Sequence, residues 1–301
     1  MKTEKNLVEL WVQTTRPKTL FAALSPVAIG AALSISKGPF NLPIWLLTLL
    51  IAILIQIGTN FCNDVFDHKQ GADTPDRQGP LRGLHSGRIS LRAMTFATVS
   101  CFGLVALLSA LLITHGGMPV VWLAVASIFC GVFYTAGRYS LAYTGLADLF
   151  VVVFFGPVAV AGTYYLQFPD AGWPPLEVYL AGLGPGLIAT ALLTVNNLRD
   201  MDEDRSNDKR TLAVRFGRNF SRMEYRFCML TALLTPLIAA FVAGRGWGVL
   251  LLWGLLPLIL PLIRKVKNGT TGAELNPVLG KTGKILLFYA ILFCVTWPIG
   301  A

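Results

Sequence analysis

Two short stretches of this 301-residue chain hold most of its acidic side chains, at spacings suited to metal and phosphate chemistry. Asp64, Asp67, Asp73 and Asp76 make up one cluster, and Asp200, Asp202, Glu203, Asp204, Asp208 and Glu224 the other. Together they account for ten of the sixteen carboxylates, interleaved with thirteen of the twenty-five lysines and arginines. Asn60, Asn63, Asp64 and Asp67 fall on one face of a helix, and Asn196, Asp200, Asp204 and Asp208 follow one another at four-residue steps, again one face. An Asn-x-x-x-Asp unit thus occurs twice, as Asn63/Asp67 and Asn196/Asp200. Carboxylates one helical turn apart repel each other unless a cation sits between them. A hard divalent ion, Mg²⁺ or Mn²⁺, meets that need, since Mg²⁺ uses one or two carboxylates, several waters and the phosphates of a substrate. Two such faces across a cavity could bridge metal ions to a diphosphate, with Lys69, Arg77, Lys209 and Arg210 adding charge-assisted hydrogen bonds. The competing reading is a solvated loop rich in both signs, and spacing alone leaves the two level.

The elements that must position these clusters are membrane helices. The chain is 54% hydrophobic and only 14% charged, against roughly 25% charged in soluble domains. That excludes disorder, a coiled coil and a disulfide-stapled scaffold, and argues against an ordinary soluble enzyme. Apolar runs of about 18 residues or more can cross a hydrocarbon core of about 30 Å, and in a bilayer such runs must be helical. Nine are expected, near residues 19–36, 42–63, 92–115, 119–137, 146–167, 178–198, 226–244, 247–264 and 284–300, with His115-Gly116-Gly117-Met118-Pro119 as the turn splitting one long run. The acidic clusters follow spans 2 and 6, four crossings apart, and so share one side. This suggests a parallel internal repeat of helices 1–4 and 5–8, followed by helix 9, within a single domain covering 1–301.

Charge asymmetry orients the chain. Twenty-three of the twenty-five basic residues fall on the side of the acidic loops, leaving only Lys37 and Arg245 opposite. The N-terminus and both Asp-rich loops are therefore expected in the cytoplasm, and the C-terminus on the far side. The net charge of +9 then reflects topology and contact with anionic lipid, with no nucleic acid required. No cleavable signal peptide is expected. The five cysteines are read as packing residues without disulfide or zinc, and His68, His85 and His115 are given no role.

At the level of motifs the sequence resembles the UbiA superfamily of intramembrane aromatic prenyltransferases, and within it the 1,4-dihydroxy-2-naphthoate prenyltransferases, the MenA type of menaquinone synthesis. The resemblance runs through Thr15-Arg16-Pro17-Lys18, Asn63-Asp64-Val65-Phe66-Asp67, Gly71-Ala72-Asp73-Thr74 with Arg77, Leu141-Ala142-Tyr143-Thr144-Gly145, Phe155-Gly156-Pro157 and Gly162-Thr163-Tyr164-Tyr165. It is strongest at Asn196-Asn197-Leu198-Arg199-Asp200, with Asp204 and Lys209-Arg210-Thr211-Leu212 after it. The sequence departs from the family pattern at Gly71, where a further Asp often stands, at Asp208, where Gly is usual, over Arg138-Tyr139-Ser140, and at Asp148, where Glu is usual.

The resemblance implies an all-α bundle of nine transmembrane helices around a central cavity with a cytoplasmic Asp-rich cap, in a bacterial cytoplasmic membrane. It implies transfer of a polyprenyl group from its diphosphate to an aromatic ring carbon, with Mg²⁺ or Mn²⁺ at the leaving diphosphate and loss of CO₂ if the acceptor is the naphthoate. Asn63, Asp67, Asp200 and Asp204 are then the leading metal-diphosphate groups, followed by Asp64, Asp73 and Asp208. Lys209 is the preferred diphosphate contact, before Arg77 and Arg210, with Asn196 beside them. An allylic centre with cationic character calls for a water-poor pocket with aromatic faces. Candidates are Phe133, Tyr134, Tyr143, Phe154, Phe155, Tyr164 and Tyr165, although aromatics in spans are more often packing residues. Arg16, Lys18 or Arg138 could hold an anionic aromatic acid, although for Arg16 and Lys18 a topological anchor is the simpler role. Gly184, Pro185 and Gly186 permit a kink or, more simply, close helix packing. Competing functions are a related transferase acting on 4-hydroxybenzoate or homogentisate and, more remotely, a secondary transporter. A transporter would place its polar groups near the membrane midplane rather than at one end.

Overall fold

The computed structural model describes residues 6–71, 78, 83–137 and 140–299, and every regular element among them is helical. In chain order the α-helices are α1 (Leu7–Thr14), α2 (Pro17–Ile35), α3 (Leu42–Lys69), α4 (Leu91–Gly116), α5 (Met118–Phe133), α6 (Leu141–Thr144), α7 (Ala147–Val153), α8 (Ala159–Gln167), α9 (Leu176–Arg199), α10 (Met201–Ser206), α11 (Leu212–Thr231), α12 (Thr235–Val242), α13 (Leu256–Lys267) and α14 (Asn276–Ile299), with a 3-10 helix at Trp247–Leu255 leading into α13. Among the described residues, eight helical stretches are long and apolar enough to cross a membrane. The fourth expected span is the shorter α5, whose 16 residues reach roughly 24 Å. The turn between α4 and α5 falls where expected, at Gly117, whose φ of 67° is open to a residue without a Cβ.

Two helices begin well before their expected spans. α11 starts at Leu212 rather than near 226, with a kink at Gly217 (φ 83°, ψ 175°), and α14 starts at Asn276 rather than near 284. The added turns carry Arg215, Arg218 and Arg222, or Lys281. Arg and Lys are good helix formers, so hydropathy marks where the bilayer ends and not where the helix does. Hydropathy also gives no sign of α1, whose Leu10 packs with Phe61, Val65, Leu84, Ile89 and Met94 against the end of α3.

At the centre lies α9, most of which is buried, because its neighbours press against glycines. A Cβ on Gly184 would lie 1.9 Å from the Tyr289 hydroxyl, and one on Gly186 would lie 2.3 Å from the Val152 carbonyl oxygen. α9 stays helical through Pro185, so this stretch serves close approach rather than a break. The kink lies in the partner helix instead. Between α7 and α8 a π-turn spans Phe154–Val158, with Gly156 off helical geometry beside Pro157, which has no N–H to donate. Phe155 sits within that turn.

Candidate active site

The first acidic cluster is built on the last two turns of α3. At 28 residues this helix is roughly 42 Å long, so its end clears the hydrocarbon with Asn60, Asn63, Asp64 and Asp67 on one face, as their spacing predicts. Asn60 donates to the Thr15 carbonyl at 2.9 Å, which fixes the turn between α1 and α2. There Arg16 adopts a left-handed backbone, φ 54°, uncommon for a residue with a side chain, and its Nη2 reaches Oδ1 of the fully buried Asp64 at 2.5 Å. Asn63 accepts a hydrogen bond from the Thr135 hydroxyl. Asp67 is buried one turn further on.

The second cluster is not the single helix face that its four-residue steps suggest. α9 ends at Arg199, Asp200 caps it with φ −93° and ψ 7°, and α10 takes over. Asp204 keeps a one-turn relation to Asp200, its N–H donating to the Asp200 carbonyl at 2.7 Å. Asp208 then turns away, with a φ of 53°. Its carboxylate pairs with Arg210 at 3.2 Å where both side chains are largely exposed, 69% and 65%. Buried Arg199 spans the cluster. It grips both oxygens of Asp200 and also donates to Asn196 at 2.8 Å and Asn276 at 3.0 Å. Asn276 in turn donates to the Gln78 carbonyl at 3.1 Å, tying the loop after α3 to this network.

Lys209 stands between Asp204 and Tyr143 of α6. Its Nζ lies 3.3 Å from Asp204 Oδ1 and 6.0 Å from the centre of the Tyr143 ring. Burial pushes the Asp204 carboxyl up to about 6; Lys209 opposes this, while the neighbouring charges of Asp200 and Asp67 add to it. The clusters therefore lie within electrostatic reach of each other, as two faces meeting across a cavity require.

That cavity has two chambers. A polar one of ≈ 170 Å³ is lined by Arg16, Asn60, Asn63 and Asp67 on one side and by Asn196, Asn197 and Lys209 on the other. An apolar one of ≈ 160 Å³ lies between α2, α3, α4, α5 and the α7–α8 helix, among Ile51, Ile55, Leu112, Leu123, Phe150 and Phe154. Gln56, Thr59, Tyr134, Val151 and Phe155 line both. A charged head can lie among hydrogen-bond donors while a long hydrocarbon tail occupies the space beside it.

Residues 23–274 match the model of the UbiA prenyltransferase family. The chain belongs to that family. It is 35% identical to a 1,4-dihydroxy-2-naphthoate octaprenyltransferase of Haemophilus influenzae, over 97% of both chains, and 36% identical to the enzyme of the same name from Escherichia coli, over 95% of this chain and 94% of that one. Its fold is that of a UbiA homolog from Archaeoglobus fulgidus solved bound to DMAPP and Mg²⁺, with a TM-score of 0.66 at 16% identity, covering 96% of this chain and 99% of that one.

Against this UbiA frame the sequence candidates separate. Arg16, Asn63, Asp67, Asn196, Lys209, Tyr134 and Phe155 all line the polar chamber, and Tyr143 stands beside Lys209. Lys18 is exposed and lies against Gly280 of α14, outside both chambers. Tyr164 packs on Phe168 in the core, Tyr165 donates to the Gly116 carbonyl, and Phe133 stacks on Phe129 with much of its ring exposed. These three rings line neither chamber, whereas Phe154 lines the apolar one. Asp73, Arg77 and Arg138 lie outside the described residues. One buried carboxylate oxygen of the second cluster is chemically suited to a divalent cation. Among the described residues nothing hydrogen-bonds the buried Asp204 Oδ2, which lies within electrostatic reach of Asp67. Among the described residues no three Asp, Glu, His or Cys side chains come together as a group that could hold a metal ion. The sequence candidates omit Arg199, Asn197, Gln56 and Thr135. Arg199 has a visible signal, a base directly beside Asp200, but the others become recognisable only once α3, α5 and α9 are brought together.

Proposed function

We propose that this protein transfers a polyprenyl group from polyprenyl diphosphate to 1,4-dihydroxy-2-naphthoate, releasing diphosphate and CO₂ and giving demethylmenaquinone. The observation carrying this reading is the joining of a donor-lined chamber to an apolar one at Tyr134 and Phe155, in a chain more than a third identical to enzymes named for that reaction. Lys209, Arg16, Asn63 and Asn196 bind and orient the diphosphate oxygens. Asp67 and Asp204, with Asn63 beside them and Asp200 behind, would hold Mg²⁺, which neutralises charge developing on the leaving diphosphate when bound. The apolar chamber holds the start of the isoprenoid tail and keeps water from the allylic carbon, and the faces of Tyr134 and Phe155 shield that carbon as it becomes cationic.

In this reading α5 is a ninth crossing, the N-terminus and both acidic clusters face the cytoplasm, the C-terminus lies opposite, and the membrane is a bacterial cytoplasmic one. The test is an assay of purified protein in detergent with a polyprenyl diphosphate, Mg²⁺ and either 1,4-dihydroxy-2-naphthoate or 4-hydroxybenzoate, following prenylated product and CO₂. Product with CO₂ from the naphthoate is expected. A preference for 4-hydroxybenzoate would move the protein to another acceptor, and no product from either would overturn the transferase reading.

A further inference from the structure

One carboxylate at this cavity belongs to neither acidic cluster. Asp148, in the first turn of α7, is only 4% exposed and lines the polar chamber next to Tyr134, Val151 and Phe155. Among the described residues no other side chain gives a hydrogen bond to either of its carboxyl oxygens, both of which are buried. Behind it, Glu224 of α11 lies within electrostatic reach, so its own acid neighbour offers Asp148 no compensation. Beyond its own backbone N–H, no described group compensates this buried carboxylate; burial with so few donors is costly, and a bound molecule that brings a donor reduces that cost.

The rest of the chamber narrows down that molecule. Arg16, Lys209, Asn63, Asn196 and Asn197 carry donor groups at its wall, which suit phosphate oxygens. Asp148 presents only acceptors and would repel a diphosphate. The chamber thus holds donors that suit an oxyanion and, in Asp148, an acceptor that suits a hydroxyl, with Tyr134 and Phe155 supplying flat apolar walls. We infer that Asp148 is an acceptor-binding residue that takes the hydrogen bond of a ring hydroxyl on the aromatic substrate and selects for hydroxylated rings. The bond holds the ring against Tyr134 and Phe155, facing the allylic carbon, and the partial charge it leaves on the ring oxygen makes the ring carbons more nucleophilic. No atom is transferred to or from Asp148.

This inference rests on the proposed transferase activity, and its test separates the two. Wild type, Asp148→Asn and Asp148→Glu are assayed with a polyprenyl diphosphate and Mg²⁺ against 1,4-dihydroxy-2-naphthoate, 1-hydroxy-2-naphthoate and 4-hydroxy-2-naphthoate. In wild type, loss of the contacted hydroxyl should lower kcat/KM by roughly 10–100-fold, the range for a hydrogen bond to a charged group. Asp148→Asn should lower kcat/KM for the dihydroxy acceptor by a similar factor, keep the KM for polyprenyl diphosphate within about twofold, and largely lose the preference between acceptors. Asp148→Glu, which retains the carboxylate, should retain the preference. The inference fails if wild type accepts all three compounds within about twofold, if Asp148→Asn weakens all three equally, or if the diphosphate KM is what rises. It fails too if Asp148→Glu loses the preference, a result that also decides the case should the Asn variant not fold. No turnover of any aromatic by wild type would overturn the proposed function and this inference with it; turnover with an indifferent Asp148→Asn would overturn the inference alone.

Discussion

Arg199 holds Asp200 by both carboxyl oxygens, Nε to Oδ1 and Nη2 to Oδ2, each at 2.6 Å. The two residues are adjacent in sequence, so the pair forms only because the helix stops between them and lets the carboxylate fold back. With its remaining donors on Asn196 and Asn276, the guanidinium welds the end of α9 to the start of α14.

Breaking that weld should unfold the protein before it harms chemistry. Arg199 is 6% exposed and Asp200 9%, and removing one partner of a buried pair costs about 3–5 kcal/mol. Arg199→Ala should therefore lower the thermal midpoint in detergent sharply. Arg199→Lys keeps the charge but loses the fork, and should fall between the two. Equal midpoints for all three proteins would show that the pair contributes no stability.

Asp208 and Arg210 lead to the opposite expectation. Both are motif neighbours, yet they pair with each other in solvent, and exposed ion pairs contribute about 0–1 kcal/mol. Asp208→Ala and Arg210→Ala should each keep kcat/KM within about threefold. Asp67→Ala and Asp204→Ala, on groups proposed to hold the metal, should lose at least about a hundredfold. A large loss in Asp208→Ala would return that residue to the site.

These contrasts mark what the sequence can tell. The first cluster is legible because α3 runs unbroken through Asn60 and Asp67, so that spacing and face agree. The second is legible only in part, because a count of four-residue steps assumes a helix that ends at Arg199. Charge places Arg16 and Lys18 at the same membrane face but cannot distinguish the one turned to Asp64 from the one turned to α14. Likewise nothing in a tyrosine's identity separates Tyr134, at the junction of the chambers, from Tyr164, packed on Phe168. Asp148 shows the same limit, for a lone acid in an apolar run acquires meaning only from the walls around it.

The packing of α9 can be tested by a double-mutant cycle. A methyl on Gly184 would fall 1.9 Å from the Tyr289 hydroxyl and 2.7 Å from the ring carbon bearing it. Gly184→Ala should cost about 1–3 kcal/mol through overpacking. Tyr289→Phe alone should cost about 1 kcal/mol, for its hydrogen bond to the Ala232 carbonyl. In the double mutant the worst contact is gone but the ring carbon remains too close, so the two costs should sum to more than the measured loss. Strict additivity in thermal unfolding would mean that the helices shift apart instead.

Acid should weaken metal binding through Asp204. Burial leads its causes, and the carboxyl is raised to about 6 in the metal-free protein. Below that pH the side chain holds a proton that a cation must displace; above it the carboxylate is already formed. The sign follows directly. Apparent Mg²⁺ affinity should be nearly flat above about pH 7 and fall by up to about tenfold per unit as pH drops well below 6, because one proton leaves for each ion bound. Calorimetric Mg²⁺ titrations between pH 5 and 8, in buffers of different ionisation enthalpy, read both the affinity and the proton released. Asp204→Asn should bind more weakly at every pH and lose this proton release. An unchanged release in that variant would assign the proton to another carboxylate.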